Sequence, residues 1–183
     1  TRSLVSTGTE KMAVEFGRSQ LINKIQQRPA QVKQVFDKIK SDGITSTMSA
    51  VRDKLDQDIP LGYCNVGTVI ESGVDGFIEG DRVVSNGPHA EIVKVPEKLA
   101  AKIPDNVSDD EAVFTVLGSI GLQGIRLLNA TFGETIVVIG LGLVGMITVK
   151  LLKASGLNVI GIDVNENKCR IAESFGIYTI NSS

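Results

Sequence analysis

The chain has 183 residues, 42% of them hydrophobic, and a formal net charge of −2 from 19 basic and 21 acidic side chains. That length can bury a core in one domain or two small ones, and the near-neutral charge argues against a nucleic-acid or membrane-surface partner. No uninterrupted apolar run can span a bilayer, residues 1–10 do not read as a signal peptide, and Cys64 and Cys169 are far apart. A cytoplasmic protein with free thiols is expected.

In chain order, residues 1–10 are short and polar after Leu4 and Val5. Three helix-like stretches follow. Residues 19–27 carry Leu21, Ile22 and Ile25 at helical spacing, with Ser19 as an N-cap. Pro29 suits a helix start, and Val32, Val35, Phe36 and Ile39 mark one face up to residue 41. Residues 45–55 carry Met48, Val51 and Leu55 as a stripe. Lys and Gln fill many other positions, so a solvated helical insertion at about 15–57 is preferred to a partner-binding surface.

From Leu61 the texture changes to β. Residues 66–71 predict a strand, 73–80 a turn-rich connection, and 81–84 and 89–95 two more strands. Asp109, Asp110 and Glu111 read as an acidic helix start, and 118–128 as a helix. Then come an apolar strand at 135–139, a helix over 146–152, a strand over 158–162, a helix over 166–175 closed by Gly176, and the beginning of a third strand at 178–180.

The turn between the first of these strands and its helix is Gly140-Leu141-Gly142-Leu143-Val144-Gly145. In strand–turn–helix–strand order this is a dinucleotide-binding fingerprint. Gly140 can take the backbone angles of a sharp turn. Gly142 lets a pyrophosphate approach the main chain, and Gly145 lets the helix pack close to the strand. The N–H groups of the helix start, at Leu143 and Val144, then face the phosphates, and the helix dipole favours the anion. Asp163 stands eighteen positions after Gly145 at the end of the next strand. A carboxylate there accepts hydrogen bonds from ribose hydroxyls and repels a 2′-phosphate, so the expected cofactor is NAD. Only the first of the two βαβαβ halves of such a fold is present, and the chain reads as a fragment.

With these pieces in order, the chain resembles the medium-chain dehydrogenase/reductase superfamily, the zinc-type alcohol dehydrogenase group. Residues 61–69 resemble its Gly-His-Glu-x-x-Gly-x-Val strand, Gly80-Asp81-Arg82-Val83-Val84 its Gly-Asp-Arg-Val turn and strand, and Ala90-Glu91-Ile92-Val93 the strand that follows. The resemblance implies an α/β protein: a GroES-like β domain over 1–114, carrying the helical insertion, then the first half of a Rossmann doubly wound parallel sheet over 115–183. It also implies a role for Lys168, five residues past Asp163, near the adenosine ribose. Ser6-Thr7-Gly8-Thr9-Glu10 and the insertion look closest to bi-domain oxidoreductases of polysaccharide biosynthesis. These carry a further Rossmann-type domain fused C-terminally. Pairing of copies through the Rossmann edge, common in the superfamily, would involve residues past 183.

The chain departs from the family's metal pattern. Thr7-Gly8-Thr9-Glu10 stands where the zinc enzymes have Cys-Gly-x-Asp. The zinc-binding His and its neighbouring Glu become Tyr63 and Cys64, and a third ligand position falls near Val116. A catalytic zinc takes about three protein ligands, so no zinc is expected. The four-cysteine structural loop is also missing. Cys64, His89 and Glu10 are the other candidate ligands near that cleft. His89 reads more simply as a surface or hydrogen-bonded residue, Cys64 as a small buried apolar one, and Cys169 as structural. Tyr63 either donates its phenol to a substrate carbonyl in place of zinc or is packed in the cleft. Thr7 is a candidate hydroxyl relay.

The function expected is zinc-independent hydride transfer between NAD(H) and a small alcohol or carbonyl, with a sugar-derived substrate in view. Two alternatives stand beside it. One is a non-catalytic nucleotide-binding module serving a fused domain, and the other is an NADPH-dependent quinone or enoyl reductase, against which Asp163 argues.

Overall fold

The computed structural model describes residues 1–18 and 60–183. The chain forms two compact units, one of residues 1–5 with 62–183 and the other of residues 6–61. The three helix-like stretches at 19–27, 29–41 and 45–55 lie outside the described residues.

In the smaller unit, helix α1 spans Thr7–Arg18, where the sequence reading placed only a polar lead-in. Its start is held locally. The Ser6 N–H donates to Glu10 Oε1 at 2.7 Å, and the Glu10 N–H donates to the Ser6 carbonyl at 2.9 Å. Two glycines and few apolar residues hide this helix from a periodicity search.

The larger unit begins with a four-stranded antiparallel sheet in the order β1 (Arg2–Ser3), β2 (Asn65–Thr68), β3 (Arg82–Ser85) and β4 (Ala100–Lys102). Val66 faces Val84 across β2 and β3. Alternation sends Cys64, Val66 and Val84 to one face, where they bury with Ile103, Ala112, Val113 and Leu117. The turn into β3 is fixed by Asp81, whose Oδ2 accepts from the Ile78 N–H at 2.9 Å and pairs with Lys102 at 2.7 Å. Residues 89–95 correct the sequence reading, because they are irregular rather than a strand. The free edge of β3 is taken instead by β4, with Val83 opposite Lys102, and Ile92 is left 74% exposed.

Short helix α2 (Asp109–Ala112) starts in a capping box. The Glu111 N–H donates to Ser108 Oγ, and the Ser108 N–H donates to the Glu111 carboxylate. Helix α3 (Thr115–Leu128) buries Leu117 in the antiparallel sheet's core. The other side of α3 meets the nucleotide half: Gly121 lies so close to Thr148 that a Cβ there would stand 2.6 Å from its Oγ1.

That half is a three-stranded parallel sheet, β5 (Thr135–Ile139), β6 (Asn158–Asp163) and β7 (Tyr178–Asn181), with β6 in the middle. Helices α4 (Leu143–Ala154) and α5 (Glu166–Ser174) follow β5 and β6. They contribute Val149, Leu152, Cys169 and Ala172 to a core with Leu141, Leu157, Val159 and Ile177, and Ile136 and Val138 of β5 pack on it. Each large aliphatic side chain buried this way contributes about 1.5–3 kcal/mol. Val137 and Ile139 point to the opposite, exposed face of β5. A cleft of about 450 Å³ lies at the amino ends of the strands, against Thr135, Asn158 and Tyr178, away from the glycine turn.

Candidate functional site

The glycine turn sits at the carboxyl end of β5, where ligands bind in doubly wound sheets. Gly140 has φ of +92°, in the region that favours glycine, and its N–H donates to the Ile162 carbonyl at 2.7 Å. Gly142 immediately precedes α4 and supplies no side-chain cap. A Cβ added at Gly142 would meet nothing within 4 Å, so the space over the main chain is open. A methyl group on Gly145 would collide with the Gly140 carbonyl oxygen. The first intrahelical bond runs from the Met146 N–H to the Gly142 carbonyl at 2.8 Å. The preceding N–H groups, of Leu143, Val144 and Gly145, therefore have no partner within the helix. An uncapped helix start beside an open main chain fits an anionic group such as a pyrophosphate.

Asp163, the last residue of β6, is 8% exposed and is tied to that turn. Its Oδ1 accepts from the Asn165 N–H at 2.8 Å, and its Oδ2 accepts from the Leu141 N–H at 2.7 Å. Lys168 Nζ stands 3.5 Å from Oδ2. The Asn165 and Leu141 hydrogen bonds, helped by the Lys168 charge, hold the Asp163 carboxyl below the usual range despite its burial. Asn165 in turn caps α5, its side chain accepting from the N–H groups of Asn167 and Lys168. Gly140, Gly142, Gly145, Asp163 and Lys168 are thus brought together in one place, with Leu143 and Val144 at the helix start.

Tyr63 and Thr7, the residues singled out for catalysis, belong to different units. Tyr63 is half-buried and packs, like Val116, against the cluster formed around Cys64, Val66 and Leu117. Gly62 before it has φ of +91° and lies against His89, whose Cγ would be 2.7 Å from a Cβ there. Cys64 and Cys169 are both buried. Thr7 is exposed at the first position of α1, in the smaller unit. Tyr63 and Val116 occupy two of the positions the resemblance assigns to zinc ligands, and they belong to an apolar cluster. Among the described residues no group of three or more His, Cys, Asp or Glu could hold a metal ion. This donor set does not fit a catalytic zinc.

Sequence reasoning missed Leu141, Gly161 and Asn165, which hold the turn and the carboxylate in place. A glycine inside the otherwise apolar 158–163 strand was the available signal, since such glycines mark close approach. It also missed Asn65 and Ser85, buried side by side across β2 and β3, with no hydrogen-bond partner for Asn65 Nδ2 among the described residues.

No family model matches the chain. It is 35% identical over 122 residues to the D-guloside 3-dehydrogenase of Escherichia coli K12, covering 63% of this chain and 35% of that protein. It is 27% identical over 201 residues to an alcohol dehydrogenase of Geobacillus stearothermophilus, covering 88% of this chain and 59% of that one. These relatives are alcohol dehydrogenase-like oxidoreductases, and the chain is similar to them over part of its length. Two solved neighbours carry nicotinamide cofactors. A mycobacterial protein complexed with NADPH has TM-score 0.61 and 26% identity, over 71% of this chain and 44% of that one. An Escherichia coli alcohol dehydrogenase complexed with NADH has TM-score 0.58 and 25% identity, over 67% and 47%. This chain therefore spans between about a third and three-fifths of the length of these relatives. Among its described residues no helix is long and apolar enough to cross a membrane.

Proposed function

We propose that the chain provides the nucleotide-binding turn and part of the catalytic domain of a zinc-independent oxidoreductase that moves hydride between NAD(H) and an alcohol or carbonyl. The observation that carries this reading is Asp163, buried at the end of β6 and joined to the phosphate turn through Leu141. A carboxylate oxygen has about two lone pairs, so Asp163 Oδ1 keeps acceptor capacity for a ribose hydroxyl after its bond from the Asn165 N–H, while Oδ2 accepts from both the Leu141 N–H and Lys168. A 2′-phosphate at the same place meets a buried negative charge, which favours NAD over NADP.

The open main chain at Gly142 and the N–H groups at the start of α4 would receive the pyrophosphate, with Asp163 and Lys168 at the adenosine ribose. A bound nicotinamide supplies the hydride chemistry. Tyr63 is the donor proposed for the substrate oxygen and Thr7 a hydroxyl relay. The likeness to D-guloside 3-dehydrogenase supports a sugar-derived substrate. The apolar setting of Tyr63 and Val116 also supports a second reading, a nucleotide-binding module without its own catalysis.

One experiment separates these readings: titration of the full-length protein with NADH and NADPH by cofactor fluorescence, with metal analysis and turnover on sugar-derived alcohols and ketones. Tighter NADH binding, no stoichiometric zinc and measurable turnover are expected. Preference for NADPH overturns the role given to Asp163, and one zinc per chain overturns the metal-free chemistry. Binding without turnover on any substrate favours the module.

A further inference from the structure

We propose that Gly161 is a positioning residue for the nucleotide: the bare backbone at this point of β6 seats Leu141, and the seated Leu141 fixes the phosphate turn. The inference rests on the dinucleotide reading above. Leu141 stands between Gly140 and Gly142, yet its side chain is 2% exposed and belongs to the core formed with Val149 and Leu152. Its Cδ2, Cδ1 and Cγ lie 2.9, 3.2 and 3.5 Å from the place a Cβ on Gly161 would occupy. Two residues further along β6, on the same face of the strand, Asp163 accepts the Leu141 N–H at 2.7 Å. Between them, the Ile162 carbonyl accepts the Gly140 N–H at 2.7 Å. Three successive residues of β6 therefore grip the turn, and Gly161 is the one that grips a side chain.

The chemistry of the site follows from this seat. A methyl group at position 161 must displace the Leu141 side chain, which is buried in the core with Val149 and Leu152. Moving Leu141 away from β6 withdraws its N–H from Asp163 and shifts Gly142, the residue over which the main chain is open. Glycine in a strand interior costs conformational entropy and packing. Here that cost has a return, because the same strand delivers the ribose carboxylate and holds the phosphate turn at a fixed distance from it.

The test compares NADH affinity by fluorescence, and exchange of the Leu141 amide by NMR, in the full-length wild type, Gly161→Ala, Leu141→Ala/Gly161→Ala and Ile177→Ala. Ile177 is a core residue just before β7, at the other end of the strands, and serves as a control for general destabilisation. Gly161→Ala is expected to weaken NADH binding about tenfold and to lose protection of the Leu141 amide. The double variant, with room restored, should return to within about threefold of wild type, and Ile177→Ala should bind NADH normally. Should Gly161→Ala fail to fold, a double variant that folds and binds supports the seat. Wild-type affinity and amide protection in Gly161→Ala overturn the seat and leave the dinucleotide reading intact. A double variant no better than the single, or an equal loss in Ile177→Ala, also overturns it. A wild type that binds neither NADH nor NADPH overturns both.

Discussion

Gly145 approaches the turn so closely that a side chain on it would occupy the space of the Gly140 carbonyl oxygen. Gly142, three residues earlier, borders open space. The two glycines therefore separate fold from ligand. Gly145→Ala has to move backbone rather than a flexible side chain, and is expected to destabilise the protein by about 3 kcal/mol or more. Gly142→Ala has an ordinary φ of −70° and no neighbour to strike, so its stability should stay within about 0.5 kcal/mol of wild type. It should nonetheless weaken NADH binding about tenfold, because the Cβ fills the path to the main chain. Urea unfolding and cofactor titration of both variants check the pair.

The carboxylate of Asp163 has both oxygens facing backbone N–H donors. Asparagine there must turn its NH2 toward one of those donors, whichever way the amide is flipped. Asp163→Asn is thus expected to lower stability at neutral pH and to abolish the preference for NADH over NADPH, as read by thermal unfolding and paired titrations. The sign of the pH dependence follows from the lowered carboxyl. Its stabilisation is fully present above the ordinary aspartate value, about 3.9, and is lost as pH falls through the lower folded value. The contribution of Asp163 should therefore be flat from about pH 5 to 8 and disappear only in acid, where wild type and Asp163→Asn converge in urea midpoint.

The nucleotide half was legible because its signals are local. Apolar runs of strand length, three glycines in a turn and a terminal carboxylate each act within a few residues of themselves. The antiparallel part was harder. Its fourth strand, Ala100–Lys102, is three residues long and exists because β3 offers it an edge, which sequence periodicity cannot see. The 89–95 stretch has strand-like residues but is irregular, and the edge of β3 is occupied by β4. Helix α1 is not legible in the sequence, because its start is held by the Ser6 and Glu10 hydrogen bonds rather than marked by an apolar stripe. In the candidate site, the groups that touch a ligand carry chemical names and could be found, whereas Gly161 and Leu141 act by shape, which emerges only when strands are laid side by side.

Arg82 links the antiparallel sheet to the start of α2. Its Nη2 lies 2.6 Å from Asp109 Oδ1 and 2.8 Å from the Val107 carbonyl, and its Nε adds a second bond to Asp109 at 3.2 Å. The Arg82 hydrogen bond holds the Asp109 carboxyl below its usual range. A planar fork makes these bonds and an ammonium cannot make all of them. Arg82→Lys is expected to lower the melting temperature, and Arg82→Ala to lower it further, both with NADH affinity unchanged because the turn lies on the other sheet. The difference between Arg82→Ala and wild type should shrink as pH falls into the range where Asp109 is protonated, which calorimetry at pH 7 and pH 3 would read.

Tyr63 decides between an enzyme and a binding module. Its ring packs on the cluster around Cys64, Val66 and Leu117, so removing the phenol oxygen alone preserves the packing. Tyr63→Phe is expected to keep stability within about 1 kcal/mol and to leave NADH affinity unaltered, since the turn and Asp163 are untouched. If the phenol donates to the substrate oxygen, kcat/KM should fall about a hundredfold, the range of a positioned acid–base group, and the loss should appear in kcat. Tyr63→His serves as the counterpart. An imidazole at this position still stands in the cluster to which Val116 belongs, so it lacks the companion ligands of a zinc site, and added zinc should not restore turnover. Wild-type turnover in Tyr63→Phe would reduce the residue to packing. Zinc-dependent recovery in Tyr63→His would show that the cleft retains a donor set that the apolar surroundings of Tyr63 do not reveal.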